Sequence, residues 1–577
     1  MNEVSISPEE FKRLLANNEL DSSLEKWAAE GKERLNVHGN IIINAPEYFQ
    51  HINGVKLPIY IIGSLGYNGL NIACDLMLNN VTIKERLLFS ECQFTSDIVS
   101  INVIGLSANE LLIMAPFKSQ CLTFNECQLG AFGLLGLEVS LLKVMDTKID
   151  GHTTMLNSSI DEFVLTSSYF KGQINISESR ISLGKLNKCE FERDVQISEV
   201  TLHYLGVISC SCKGAFILEE VIAAYIFLVE NTIEGQSKLT YSEQLDLGQY
   251  IAPALPLEKI QTELKLIGNT LNKGFKVLGR DGNFNLITIH GHGAAMNVVE
   301  FEECNSLSLA ISGVIQSTIL SFNYCRFGWV GYNKVNNHGK IIFNGLFTFT
   351  PEEVKRLFNK PDYEASHFEA LRSELGDTRF FLVDFTIFDE IIISKSSFDG
   401  VSARHTTWFT EDKLRFPSTD ESEQAQKYNL YQELKKMAER AGNDVQAREF
   451  RRIELDAHRQ DLKARKVSRF NNDRFTLWFN RVTNRHNASW KRPLAILLIM
   501  ATLFYSGFVA IHYFNRCGNW VNSLYSYPYF LFPLRSLDTF NTCEGLLWLA
   551  PVYHLYRLLY ALIAYQLVTA FRKFGKK

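Results

Sequence analysis

Cysteines are the side chains whose type and spacing first suggest chemistry in this chain of 577 residues. Cys210 and Cys212, or Cys121 and Cys127, look like pairs of metal ligands. Structural zinc sites, however, use cysteine pairs with about two to four residues between them, and neither pair has that spacing. We therefore predict packed, buried thiols and no metal site. The segment His290–Gly293 reads HGHG, which we interpret as a turn between strands and not as a ligand pair.

The sequence contains no recognisable catalytic motif. No nucleophile elbow, glycine-rich phosphate loop, H-E-x-x-H motif or carboxylate pair rises above chance. We therefore predict that the protein is not an enzyme and binds no cofactor. The net charge of −4 gives no overall preference for nucleic acid, and nucleic acid is not a predicted partner.

An eight-residue unit recurs through the first 400 residues, with apolar residues at positions 1, 3 and 8 and a small or thiol residue usual at position 6. In the most regular stretch the unit begins at residues 163, 174, 184, 195, 205, 216 and 226, so alternate copies lie about 21 residues apart. The strand-like alternation and this period predict a mainly β fold, a right-handed parallel β-solenoid with two similar sides.

Position 6 of the repeat forms a column along the predicted solenoid. Small side chains fit an inward corner, where the backbone bends sharply and bulk is excluded. The column consists of Cys92, Cys127, Thr147, Ser168, Ser179, Cys189, Val200, Cys210, Val221, Asn231, Asn269, Cys304, Cys325 and Ser396.

Helix-capping patterns mark the boundaries of the solenoid. Ser7 and Thr350 each precede a proline and two glutamates, the pattern of an N-cap followed by the first helical turn. We therefore predict N-terminal capping helices over residues 1–36 and a solenoid over residues 37–410, with a helical insertion near residues 350–376.

Residues 417–490 are predicted to form an α-helical hairpin and a basic neck next to a membrane. Two apolar stripes with helical spacing support the hairpin. The stripes are Tyr428, Tyr431, Leu434 and Met437 on the first helix, and Ala447, Phe450, Ile453 and Ala457 on the second.

Residues 491–577 are predicted to be a two-span transmembrane hairpin. The uncharged run Pro493–Phe514 has 22 residues, which is about 33 Å as a helix and enough to cross a bilayer. The N-terminus has no secretory signal, and both outer ends of the spans are basic, so the N-terminal domain and the C-terminus are expected in the cytoplasm.

Basic residues beside the spans are candidates for contact with lipid headgroups. The stretch from Arg448 to Arg492 has 13 Lys or Arg against 5 Asp or Glu. The alternative is a solvated helix face that only follows the positive-inside rule. The candidates are Lys463, Arg465, Lys466, Arg469, Lys491, Arg492, Arg572 and Lys573.

The loop between the spans is expected on the exported side, where a disulfide between Cys517 and Cys543 is predicted. Its aromatic segment Val521–Phe540 either lies in the membrane interface or re-enters the membrane as a pore helix. It lacks the T-V-G-Y-G filter, which disfavours potassium selectivity by that route.

The second span contains three polar residues, His554, Arg557 and Gln566. If the span starts near Tyr553, Arg557 lies one turn inside the exported end and snorkels to the interface. The alternative is that the three side chains line a polar seam or pore in an oligomer.

The segment Tyr431–Gln460, YQELKKMAERAGNDVQAREFRRIELDAHRQ, resembles the hairpin that follows pentapeptide-repeat or related β-solenoid domains in bacterial membrane proteins. The solenoid itself departs from the A-[DN]-L-x-x pentapeptide motif. The resemblance implies a bacterial inner-membrane protein with a two-span, sometimes channel-like C-terminus. Our leading hypothesis is a membrane-anchored scaffold that binds a protein partner on a cytosolic solenoid. The alternative is a homo-oligomeric pore gated by the solenoid.

Overall fold

The computed structural model describes residues 3–43, 52–54, 59–68, 71–72, 76–90, 92–94, 100–241, 262–267, 269–271, 274–279, 283–295, 298–363, 365–417, 422–468, 471–484, 490–514, 527–531 and 550–574. The chain divides into two compact units, Met1–Ser396 with Gly400–Arg415 and Ser397–Asp399 with Phe416–Lys577. The first is a parallel β-solenoid of about 15 turns, and the second contains the C-terminal helices.

The first half of the solenoid contains β1 (Glu3–Ile6), β2 (Arg34–His38), β3 (Ile41–Ile43), β4 (Ile52–Asn53), β5 (Ile59–Ile62), β6 (Leu65–Asn68), β7 (Asn71–Ile72), β8 (Leu76–Asn79), β9 (Val81–Ser90), β10 (Gln93–Phe94), β11 (Ser100–Ile104), β12 (Ser107–Asn125), β13 (Gln128–Met145), β14 (Lys148–Ile149), β15 (Thr153–Leu156), β16 (Ser159–Thr166), β17 (Tyr169–Phe170), β18 (Ile174–Ser177), β19 (Arg180–Asn187) and β20 (Glu190–Phe191). The second half contains β21 (Val195–Ser198), β22 (Thr201–Ile208), β23 (Ser211–Cys212), β24 (Phe216–Val229), β25 (Thr232–Ile233), β26 (Ser237–Tyr241), β27 (Thr262–Ile267), β28 (Thr270–Leu271), β29 (Phe275–Leu278), β30 (Asn283–Ala295), β31 (Val298–Glu302), β32 (Asn305–Gln316), β33 (Ile319–Asn323), β34 (Arg326–Asn337), β35 (Lys340–Asn344), β36 (His367–Leu371), β37 (Asp377–Phe381), β38 (Glu390–Ser394), β39 (Ser402–Arg404) and β40 (Leu414–Arg415).

The helices are α1 (Pro8–Ala16), α2 (Leu20–Ala29), α3 (Pro351–Phe358), α4 (Glu423–Arg440), α5 (Asp444–Ala464), α6 (Asn472–Asn484), α7 (Lys491–Phe514), α8 (Tyr527–Leu531) and α9 (Ala550–Phe574). Short 3-10 turns lie at Phe385–Ile387 and Glu411–Lys413.

Neighbouring coils of the solenoid are in parallel register. Ile174 in β18 pairs with Val195 in β21, and Val195 pairs with Phe216 in β24, an interval of 21 residues. Each coil consists of two similar halves. Each half has a four-residue strand segment, a corner and a two-residue strand segment. In the strand β16, the two-residue segment of one half continues into the four-residue segment of the next half. The predicted repeat and its two similar sides are therefore confirmed.

A residue with left-handed backbone opens the corners of the regular coils. The angle φ is 50° at Asn157, 49° at Ser167 and 47° at Glu178. This conformation costs a non-glycine residue roughly 1–2 kcal/mol, so the stacked coils must stabilise it. It turns the chain sharply within one residue, and the next side chain, at position 6 of the repeat, points inward.

The inward column at the corners is a hydrogen-bonded ladder. The Ser158 N–H donates to Ser179 Oγ of the next coil at 3.1 Å, and Ser179 Oγ donates to the carbonyl of Ser177 at 2.7 Å. The predicted column is in fact two columns, one at each of the two corners of a coil. At the other corner, the Cys210 N–H donates to Asn231 Oδ1 of the next coil at 2.9 Å. Every predicted member of the column is buried except Ser396, which is half-buried. Restricted space is therefore only part of the reason for small residues, because the side chains also bond to the buried corner amides.

Aromatic rings stack along the interior of the later coils. Phe301, Phe322, Phe343 and Phe380 succeed one another with ring centroids 5.0, 4.8 and 5.6 Å apart. All four are buried, and they occupy paired positions of β31, β33, β35 and β37. Apolar burial of this kind is the main stabilising contribution to the stack of coils.

The two predicted helix starts are confirmed. Ser7 caps α1 by accepting from the Glu10 N–H at 3.2 Å, and Thr350 and Glu353 form a reciprocal capping box at α3. The structure adds a strand before the N-terminal helices, since β1 pairs with β2. The insertion is helical only over α3, and the strand β36 resumes at His367.

Replacing Asn231 by alanine is expected to destabilise the solenoid. The Cys210 N–H would lose its acceptor, and the Val207 carbonyl would lose the Asn231 Nδ2 donor at 2.8 Å. Each buried group left without a partner costs about 1–3 kcal/mol. The urea midpoint of the full chain in detergent, followed by circular dichroism, should fall for Asn231→Ala and stay unchanged for the outward-facing control Thr232→Ala. Equal midpoints for both variants would contradict a stabilising ladder.

Candidate functional site

The helical hairpin predicted from the apolar stripes is confirmed. Ser422 caps α4 and Asn443 caps α5, each accepting from a backbone N–H three residues later. Tyr428 contacts the His458 ring and Ser422 Oγ bonds to Asp461, so the helices run antiparallel. All predicted stripe residues are buried except Tyr428, which is half-buried.

Ionic contacts fix the register of the hairpin. Lys435 Nζ donates to both carboxylate oxygens of Glu454, at 3.0 and 2.8 Å, and only 7% of the Glu454 side chain is exposed. Asp461 accepts from Ser422 and pairs with Arg465 at 2.8 Å. Removing one partner of such a buried pair would leave an uncompensated charge, so α4 and α5 can meet in one register only.

Among the residues that the structure describes, α7 is the one helix long and apolar enough to cross a membrane. Its 24 residues span about 36 Å. A core helix of a soluble protein would be mostly buried, but only 17% of the candidate segment Lys491–Ile511 is buried. Side chains such as Ile499 and Leu503 are 59% and 66% exposed. This finding gives weak support for association with a membrane.

The short helix α8 packs at the middle of α7. Its Tyr527 hydroxyl lies 3.1 Å from Thr502 Oγ1, and Thr502 is the twelfth of the 24 residues of α7. The Phe530 ring contacts Tyr505 and Phe508 of α7, with centroids 5.8 and 5.4 Å apart, and is itself buried. The aromatic segment expected to lie at an interface or to re-enter thus contains a helix held at mid-length of α7.

Two tyrosines of α9 bond to the end of α8. The Tyr556 hydroxyl donates to the Phe530 carbonyl, and the Tyr560 hydroxyl donates to the Leu531 carbonyl. The last carbonyls of a helix have no partner within it, and in an apolar environment each would be costly to leave unpaired. The tyrosine hydroxyls therefore allow α8 to end among apolar side chains.

The three polar residues of the second predicted span all lie in α9, but they do not converge. His554 and Arg557 are three residues apart, roughly 60° around the helix, whereas Gln566 is on the opposite face, roughly 180° from Arg557. The Arg557 guanidinium lies over the Tyr553 ring at 6.0 Å. A single seam that contains all three side chains is therefore not formed within one chain.

Arg557 lies level with the middle of α7. Its neighbour Tyr556 packs on Phe504, with ring centroids 4.5 Å apart, and α7 continues for ten residues beyond Phe504 to Phe514. Arg557 therefore lies about 15 Å along α7 from Phe514, and about two turns into α9, which begins at Ala550. Its expected position one turn inside the exported membrane surface stays a prediction.

An apolar cavity of about 290 Å³ lies between α7, α8 and α9. It is lined by Leu503, Phe504, Gly507, Phe508, Ile511, Phe530, Val552 and Tyr553. With this mostly apolar lining the cavity suits hydrocarbon better than a hydrated ion.

The candidate lipid-contact residues are exposed wherever the structure describes their side chains. Lys463, Arg465, Lys466, Lys491 and Arg492 are exposed, and Arg465 also pairs with Asp461. Arg469 lies outside the described residues, as do Cys517 and Cys543 of the predicted disulfide. Arg572 and Lys573 belong to the last turn of α9, but their side chains lie outside what the structure describes.

The solenoid cysteines that the structure describes are free thiols, and all of them except Cys121 are buried. Burial raises the pKa of Cys127 to about 11 and that of Cys212 to about 12, so both stay protonated at neutral pH. Within the described ranges, no group of three or more His, Cys, Asp or Glu residues is arranged to hold a metal ion. The expected turn at His290–Gly293 is wrong, since these residues continue the strand β30, where His290 Nδ1 lies 2.8 Å from Ser312 Oγ.

The outer surface of the solenoid carries an aromatic platform that the sequence did not predict. It consists of Tyr204, Tyr225 and Phe227, with His203 and Lys265 beside them. Tyr204 stacks on Phe227 at 5.3 Å, and Lys265 Nζ lies 4.7 Å from the Phe227 centroid. The ring of Tyr204 lies across Gly206, where a Cβ would come within 2.8 Å of it. The signal that could have revealed the platform is the 21-residue interval between Tyr204 and Tyr225, which pair at outward positions.

Comparison of the chain with protein-family models, with curated proteins and with solved structures gives no match. The class of the protein is therefore described by its fold alone, which is a parallel β-solenoid followed by a C-terminal helical unit.

The double variant Tyr556→Phe/Tyr560→Phe is expected to lower the stability of the helical unit. Two helix-end carbonyls lose their donors, at about 1–3 kcal/mol each, while the ring packing is retained. The thermal midpoint of the detergent-solubilised chain should fall, and chymotrypsin should cleave the chain near α8 faster. The exposed Tyr565→Phe serves as the matched control, and a double variant that behaves like this control would contradict the role of the hydroxyls.

Proposed function

We propose that the protein is a membrane-anchored β-solenoid that binds a protein partner. The observation that carries the proposal is the exposed apolar surface of α7, which is long enough to cross a bilayer. In this proposal α9 is the second span. Its side chains Leu555, Leu558 and Leu562 are between 49% and 63% exposed and offer an apolar strip to lipid.

The proposed orientation follows the charge at the ends of the two helices. Lys491 and Arg492 begin α7, and Arg572 and Lys573 end α9. Because basic residues are retained on the cytoplasmic side, we assign the solenoid and the C-terminus to the cytoplasm. The resemblance of the hairpin to those of bacterial membrane proteins supports an inner-membrane location.

The aromatic platform is the proposed binding surface for the partner. Tyrosine and phenylalanine contribute large contact areas at little entropic cost and are frequent anchors of protein interfaces. The rings of Tyr204 and Phe227 are already fixed by stacking on each other, so binding would cost little further order. Lys265 pairs with Glu263 at 3.3 Å, so the edge of the platform carries both a cation and a carboxylate beside the His203 ring.

Photo-crosslinking in cells tests the anchor and the binding surface together. With p-benzoylphenylalanine in place of Tyr225, carbonate-washed membranes should retain the chain and give a discrete adduct of higher mass. The same probe in place of Lys171, an exposed residue between β17 and β18 and more than two coils before Tyr225, is the control and should give no adduct. Identical band patterns at the two positions would contradict the binding surface, and recovery of the chain in the soluble fraction would contradict the anchor.

A second candidate function, a pore made of several copies, is favoured by α8. A helix held at mid-length of one span and bonded to another is the arrangement of a re-entrant pore segment. Arg557, level with the middle of α7, would in a bilayer require a polar neighbour or water. The cavity within one chain is apolar, so any aqueous path would lie between copies.

Ion flux into liposomes tests the pore. If Arg557 lines a path between copies, the wild-type chain conducts and Arg557→Ala falls to the level of protein-free liposomes. Gln566→Ala should retain flux, because Gln566 lies on the opposite face of α9. Absence of flux from the wild-type chain, or equal loss in both variants, would contradict a path lined by Arg557.

A further inference from the structure

The helix α6 exposes a row of large apolar side chains. Phe475, Trp478 and Val482 are 53%, 50% and 47% exposed, and they lie three and four residues apart. They therefore share one face of the helix, and Phe479 extends that face by stacking on Phe475 at 6.4 Å. The other side of α6 faces the protein, since Leu477 is buried. Such a helix, apolar on one side and docked on the other, is typical of helices that lie in a membrane interface.

An excess of positive charge lies beside the apolar row. Arg481 of α6 pairs with Asp456 of α5 at 3.3 Å, and Arg459 lies 3.9 Å from the same carboxylate. Arg474 donates to the Val467 carbonyl. Arg452 also lies 3.9 Å from the Asp456 carboxylate, but it pairs with Glu449 at 2.7 Å. Beyond that pair, this group, the arginine cluster, has three guanidinium groups, Arg459, Arg474 and Arg481, and the one carboxylate of Asp456.

The positive charges of the arginine cluster repel one another. Burial and the nearby Arg481 and Arg474 lower the pKa of Arg459. Arg459 Nε is buried and makes no hydrogen bond within the described residues, and only 18% of the side chain is exposed. An anion beside the cluster would relieve the repulsion and supply acceptors, and guanidinium groups suit phosphate oxygens in particular.

We propose that α6 lies in the headgroup layer of the membrane, with Phe475, Trp478 and Val482 inserted toward the acyl chains and the arginine cluster bound to the phosphate of an anionic phospholipid. Arg474 and Arg481 are seven residues apart on α6, one before and one after Trp478. When Trp478 is inserted toward the acyl chains, their guanidinium groups therefore lie at the level of the headgroups. The inference rests on the membrane anchor proposed above.

A bilayer surface is favoured over a second protein as the occupant of this face. The span candidate α7 begins at Lys491, seven positions after α6 ends at Asn484, so α6 is close to any bilayer that α7 enters. Tryptophan and phenylalanine are also the residues expected at the boundary of headgroups and acyl chains. The candidate headgroup contacts Lys463, Arg465 and Lys466 follow directly after the part of α5 that holds Arg459.

Quenching of Trp478 by brominated lipids tests this assignment on the full chain in proteoliposomes. The contribution of Trp478 is the difference between the wild-type chain and Trp478→Phe. We expect brominated acyl chains to quench it, and brominated phosphatidylglycerol to quench it more strongly than brominated phosphatidylcholine at equal mole fraction. A basic residue at a membrane surface enriches anionic lipid by about fivefold, so Arg474→Gln/Arg481→Gln should remove most of the difference.

Controls separate this inference from the anchor. Lys436→Gln changes an exposed charge of α4 and should leave the lipid preference unchanged. If the chain resists carbonate extraction but Trp478 is not quenched, the position of α6 is wrong while the anchor stands. If quenching is equal for the two lipids, the headgroup site is wrong. If carbonate releases the chain, the anchor itself fails.

Discussion

The sharp corner between two strand segments is the constraint on which the solenoid depends. A left-handed residue such as Glu178 turns the chain and still donates its own N–H to the next coil, at the Ser198 carbonyl, but the N–H of the residue that follows such a corner has a side chain as its acceptor, as at Ser158. Ser179 supplies that side chain, since it both accepts from the coil before it and donates to its own strand. A corner amide is buried, so leaving it unpaired would cost as much as the bend itself. Repetition of this pairing lets coils stack at a constant interval while the apolar interior fills with side chains such as the stacked phenylalanines.

The sequence predicts those features that repeat locally and misses those that arise from contacts between distant residues. The repeat unit, the corner column and the helix caps at Ser7 and Thr350 each follow from residues a few positions apart, and the structure confirms them. The platform around Tyr204 was missed because its rings look like ordinary strand residues until two coils are laid side by side. The contacts of α8 were missed for a similar reason, because Phe530 and Tyr556, which meet in space, are 26 positions apart in the sequence. The position of Arg557 beside the middle of α7 also depends on which residues of α7 the helix α9 contacts, and periodicity carries no such information.

Buried polar groups are paired in the helical unit as they are in the solenoid. The corner amides of the solenoid bond to serine, cysteine and asparagine side chains, and the final carbonyls of α8 bond to tyrosine hydroxyls. In the hairpin, Lys435 and Glu454 satisfy each other. Arg557 is half-buried and lies over the Tyr553 ring at 6.0 Å, which is a weak interaction for a guanidinium. In the proposed pore, a neighbouring copy or water would complete its solvation.

Exposed apolar side chains are distributed differently in the two units, and this difference favours a bilayer as the explanation. In the solenoid they occur singly, as at Leu382, or in small groups, as at Val298 and Ile319, which pair on neighbouring coils. Exposure on this scale is normal for a soluble surface. On α6, α7 and α9 the exposed residues form continuous rows along three different helices. A protein partner would have to be shaped to cover all three rows, whereas a single bilayer covers them without any specific fit, and the arginines that flank α6 and open α7 lie where headgroups would meet them.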